Sequence, residues 1–130
     1  MRFHSGFCIY HDSLEKNALF LKPEFKLDKL LKYSHETAYK SFEEGTNTAK
    51  MLELEWLLRI TGTKQISQAL ELAKPNEGSS CLYLSFKGLK NLEKAEIHDL
   101  WSLQKKFFGW NGNQEDLELD LIEQRALTFA

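Results

Sequence analysis

The chain has 130 residues, with 17 Lys plus Arg against 19 Asp plus Glu and a formal charge of -2. At 42% hydrophobic and 28% charged residues this composition excludes a disordered, collagen-like or disulfide-stapled polypeptide. A single domain of this length buries roughly two-thirds of its unfolded surface, enough for a hydrophobic core. Leu occurs 22 times, Ile five times and Val not at all, which favours helix over sheet, because unbranched side chains keep their rotamer freedom in a helix.

The aromatic-rich run from Phe3 to Tyr10 predicts a first strand, with a bulge at Gly6. Leu14 to Leu21 predicts a short helix stopping before Pro23, and residues 25–33 a second strand. Ser34 as N-cap, Ala38 and Phe42 at four-residue spacing and Gly45 beyond outline a helix of about eleven residues. From Thr48 to Thr61 apolar residues cover most of a helix circumference, predicting the core helix, within which Glu55 and Arg59 stand four apart as an ion pair. Gly62 ends that helix. The next carries Ile66, Ala69, Leu70 and Ala73 on one stripe. Residues 75–78 read as a turn and residues 81–86 as a central strand. Helices over about 97–108 and 114–125 follow, separated by Trp110-Asn111-Gly112-Asn113, and the last five residues suit a strand. The predicted fold is a single α/β domain with a small mixed sheet of about four strands, near residues 3–10, 25–33, 80–86 and 126–130, packed by helices.

The N-terminus lacks signal-peptide features and no apolar run approaches a membrane span, so a cytoplasmic, non-membrane protein is expected. Cys8 and Cys81 form neither a CxxC motif nor a thiolate metal set, and are expected to be small buried apolar residues. His4, Cys8 and His11 do not converge, because alternation sends His4 and His11 to opposite faces of a strand. With no GxSxG, HExxH, P-loop or GxGxxG, the expectation is no catalytic residues, no metal and no cofactor. Residues 91–130 hold 4 basic and 8 acidic residues, an acidic end suited to a basic protein surface.

The local pattern that carries information is the buried helix, glycine and new helix of residues 57–70. Backbone N–H groups of the new first turn, beside Lys64 and Gln65, form an anion-binding arrangement. Thr61-Gly62-Thr63-Lys64-Gln65-Ile66, with Glu55 before it, Ala69 after it and a strand near Cys81, resembles the signature of the kinase-binding subunit family of the KEOPS (EKC) complex. The resemblance covers residues 46–86 and, through the closing helix and tail, 114–130. It implies a non-catalytic protein that binds the small atypical kinase of that complex directly and its ATPase-like catalytic subunit indirectly. It also implies help in recruiting tRNA, through the CCA tail, for threonylcarbamoyladenosine modification beside the anticodon. Lys64 stands where the family more often has arginine, which keeps the charge and loses the planar fork, lowering the expected grip on RNA.

On this resemblance Lys64, Gln65, Arg59 and Thr63 are the candidate RNA-binding residues, with backbone N–H groups near Thr63 helping to hold phosphate. Arg59 has a second reading as the structural partner of Glu55. Leu119, Ile122, Leu127 and Phe129 are the candidate partner-binding residues, on a second apolar stripe of the acidic closing helix and on the tail after it. The rival reading is a small phosphorylated-ligand-binding domain or enzyme using the Gly62 corner. A stand-alone RNA-binding protein is disfavoured by the net charge of -2 and a pI near 6.1.

Overall fold

The computed structural model describes residues 2–14 and 17–130. Strand β1 (His4–Ile9) is followed by β2 (Leu19–Leu21), a 3-10 turn (Pro23–Phe25), α1 (Asp28–Glu44), α2 (Leu52–Thr61) and α3 (Ile66–Ala73). Then come β3 (Ser80–Ser85), α4 (Leu100–Phe108) and α5 (Gln114–Thr128). The architecture is mixed α/β. Among the described residues the sheet has three strands in the order β1-β3-β2, antiparallel throughout rather than mixed.

β3 is central because it is the strand that both neighbours can pair, and alternation sorts its side chains. Leu82 and Leu84 face Leu21 and Leu19 of β2 across the register and join the main core with Trp56, Leu57, Leu58 and Ile60 of α2. Helix α2 is buried along its whole second half, as its all-round apolar pattern predicts. A second cluster, Leu27, Leu30, Leu117 and Leu121, packs α5 onto α1, and Phe108 bridges the two clusters.

Five expectations are corrected. Residues 19–21 are a strand, not the end of a helix from Leu14; Glu15 and Lys16 of that segment lie outside the described residues. The extended pairing of Leu19 and Leu21 with β3 outweighs local propensity. Residues 25–33 are not a strand, because α1 starts at Asp28 and places Leu30, Leu31, Ser34, His35, Ala38 and Ser41 on one buried stripe. Polar residues in that stripe hide its period, and Ser34 is a buried interior residue instead of an N-cap. Gly6 makes no bulge: its register with Tyr83 is continuous, and glycine is needed because an added Cβ would lie 2.8 Å from the Tyr83 ring.

The fifth correction concerns residues 126–130, where α5 runs on to Thr128 and no closing strand forms. The open edge of β1 is already occupied. Ile9 N–H donates to the Glu93 carbonyl and Ala95 N–H to the Phe7 carbonyl, at 2.9 and 3.2 Å. Of the predicted apolar stripe on α3, Ala69 and Ala73 are fully buried while Ile66 and Leu70 remain exposed. Among the described residues no helix is long and apolar enough to cross a membrane.

Candidate functional site

The Gly62 corner is built from the buried carboxylate of Glu55. Its Oε1 accepts the N–H groups of Thr48 and Ala49 at 2.7 and 2.8 Å, and its Oε2 accepts Arg59 Nε at 2.9 Å. The chain entering α2 is thereby tied to the helix that follows it. A fully buried carboxylate is tolerable only with such a set of partners.

Helix α2 ends where Gly62 adopts the left-handed conformation, φ +76°. Leu58 O accepts from both Gly62 N and Thr63 N, at 2.8 and 3.2 Å, closing the helix end. The Thr63 N–H is therefore spent on the cap and does not project toward a phosphate, which corrects one sequence expectation. The Thr63 hydroxyl donates to Gln68 Oε1 at 2.8 Å. Gln65 is the N-cap of α3 and its own N–H donates to the Thr63 hydroxyl oxygen at 3.3 Å; no side chain caps the first turn that follows, which begins beside exposed Lys64 and Gln65.

The sequence-selected residues divide into engaged and open groups. Arg59 is only 8% exposed, paired with Glu55, and lies with its guanidinium carbon 4.5 Å from the centroid of the Phe129 ring. Lys64 Nζ stands 6.0 Å from the same ring. Phe129 thus joins two of the RNA candidates to the tail of α5. Leu119 and Leu127 are 56% and 80% exposed, and Ile122 is half-buried against the Leu27 cluster. Around the open leucines, Glu115, Asp116 and Glu123 are exposed, whereas Glu118 is buried. Burial pushes the Glu118 carboxyl up from its ordinary value, countered by the backbone N–H of Lys29.

Sequence reasoning missed Arg125. Its Nε and Nη2 donate to the Ile60 carbonyl at 3.2 and 2.9 Å, which satisfies a helix-end acceptor from 65 residues away. The guanidinium lies so close to Gly62 that an added Cβ would be 2.9 Å from Arg125 Cζ. Burial lowers its pKa to about 10, partly offset by the negative charge of Asp120. No local spacing points to this contact, since its partner is a backbone atom in another element.

The surface at the start of α3 is open instead of enclosed. Cavities of about 370 and 440 Å³ flank α3 but are lined by Leu70 and Leu72 respectively, not by Lys64 or Gln65. Among the described residues, no group of three or more His, Cys, Asp or Glu could hold a metal ion. No protein-family model matches the chain, and no curated protein matches it.

Proposed function

We propose that this chain is a non-catalytic interaction subunit of the KEOPS type, acting in the cytoplasm in threonylcarbamoyladenosine modification of tRNA. In this reading the outer face of α5, with Leu119, Leu127 and the surrounding carboxylates, docks the small atypical kinase. The catalytic ATPase-like subunit is reached through that kinase. Lys64, Gln65 and the uncapped start of α3 receive the single-stranded CCA end of tRNA, with phosphate on the N–H groups and bases against side chains.

The observation that carries the proposal is the meeting of the two candidate surfaces. Arg125 and Phe129, in and just beyond the last turn of α5, pack against Ile60, Gly62 and Arg59 of the corner, with Lys64 Nζ 6.0 Å from the Phe129 ring centroid. A protein partner on α5 and an RNA end at the corner would therefore sit side by side. The open shape of the corner suits an extended strand better than an enclosed metabolite.

Size-exclusion chromatography with light scattering on the chain mixed with the kinase tests the proposal. Wild type should co-elute with the kinase, and Leu119→Lys with Leu127→Lys should abolish the complex while circular dichroism stays unchanged. Separate elution of the wild-type pair at micromolar concentration overturns the reading. The uncapped first turn of α3 also supports the rival, a small phosphorylated-ligand site. Strong thermal stabilisation by a nucleotide, without kinase binding, would favour it.

A further inference from the structure

The chain contains two cysteines, 73 residues apart, and the fold sets them against each other. Cys8 on β1 and Cys81 on β3 are directly opposite in register, both fully buried, both free thiols, with Sγ atoms 3.4 Å apart. Because Phe7 O and Ile9 N bond outward to residues 95 and 93, the N–H and C=O of Cys8 point inward to β3. Cys8 and Cys81 are thus a hydrogen-bonded pair, whose Cα atoms stand about 5.5 Å apart in antiparallel sheet. That spacing lies inside the range of about 4.4–6.8 Å that a disulfide bridges.

We propose that Cys8 and Cys81 are a redox-closable pair that forms an intrachain disulfide across β1 and β3 when a hydroperoxide oxidises the protein. One thiolate attacks the peroxide, cleaving its O–O bond to give a sulfenic acid and releasing water from a hydrogen peroxide molecule. The second thiolate then attacks that sulfur, forming the S–S bond and expelling hydroxide, which takes up the released proton as water. Two thiols and one hydrogen peroxide become one disulfide and two waters, the sulfurs losing the two electrons that the peroxide gains.

The geometry also sets the kinetics. Burial pushes both thiols above their ordinary value, so they are poor nucleophiles while the sheet is closed. Among the described residues only the short bridge of residues 93–95 covers the outer side of β1, so local opening of that bridge and strand is the step that admits the oxidant. Once closed, the bond would tie β1 to β3 and with it residues 93–95, which hang on the outer edge of β1. This inference stands independently of the proposed function.

Intact-protein and peptide mass spectrometry after hydrogen peroxide treatment and thiol blocking provides the test. The expected product has lost two hydrogen atoms, contains a peptide joining Cys8 to Cys81, remains monomeric, and returns to two alkylatable thiols with dithiothreitol. Its unfolding midpoint should shift upward relative to the reduced protein, and Cys8→Ala should give no such product. Thiols that stay unmodified, oxygen added to single cysteines without a cross-link, or disulfides only between molecules would each overturn the proposal.

Discussion

Gly62→Ala is expected to cost far more than the same change at Gly45, although both glycines cap a helix in nearly the same conformation, φ +76° and +71°. Each substitution forces a Cβ into the left-handed region, a strain of about 1–2 kcal/mol. At Gly45 nothing lies within 4 Å of the added atom, so the strain is the whole cost. At Gly62 the Cβ meets the Arg125 guanidinium at 2.9 Å. The guanidinium must move away from the Ile60 carbonyl, losing hydrogen bonds from a charged donor worth about 1.5–3 kcal/mol and leaving that acceptor unpaired. The sum is roughly 3–5 kcal/mol for Gly62→Ala against about 1–2 for Gly45→Ala. Urea titration followed by circular dichroism measures both, with a common slope as the check on two-state behaviour. In an Arg125→Met background the Gly62→Ala cost should fall toward the Gly45→Ala value, as a double-mutant cycle requires of a direct contact. Equal costs at the two glycines in the wild-type background would refute the account of the corner.

Glu55→Ala should destabilise by about 3–5 kcal/mol, because it strands a buried guanidinium together with the N–H groups of Thr48 and Ala49; a loss below about 1 kcal/mol in the same titration would show the network to be dispensable. Two histidines should bend the pH–stability curve in opposite senses. Burial depresses the His35 pKa below 6.5, so its contribution is present above pH 6.5 and lost as pH falls through the folded value, an acid limb that His35→Leu should flatten. Hydrogen bonding to Glu77 raises the His11 pKa above 6.5, so its small contribution is present below pH 6.5 and lost as pH rises through the folded value; NMR titration of the two rings should place them on opposite sides of 6.5. At the corner, Lys64→Ala should weaken binding of a tRNA bearing an intact CCA end and lower the salt slope by about 0.7, the share of one phosphate contact on a single strand. Lys64→Arg should tighten that binding by restoring the planar fork, and an unchanged affinity in both variants would remove Lys64 from the RNA surface.

What residue order alone determined were the elements whose signal is local. Helix α2 has apolar residues on nearly every side, Gly45 and Gly62 end two helices in the left-handed conformation, and the run at 81–86 lies within a residue of the central strand. The pairing of Glu55 with Arg59 was legible too, because four residues is one helical turn. The extent of α1 was only partly legible, since Ser34, His35 and Ser41 are buried in its stripe and do not read as apolar. The rest depended on what the chain meets in three dimensions. Leu19–Leu21 is extended because β3 offers it partners, and residues 126–128 remain helical in α5 while residues 93–95 hold the β1 edge. Of the candidate site, spacing singled out the uncapped turn beside Lys64 and Gln65. Only the tertiary structure turned Arg59 inward under Phe129, brought Arg125 onto Ile60, and set Cys8 beside Cys81. Each of those contacts joins elements remote in sequence, where burial and hydrogen-bond satisfaction outweigh any local preference.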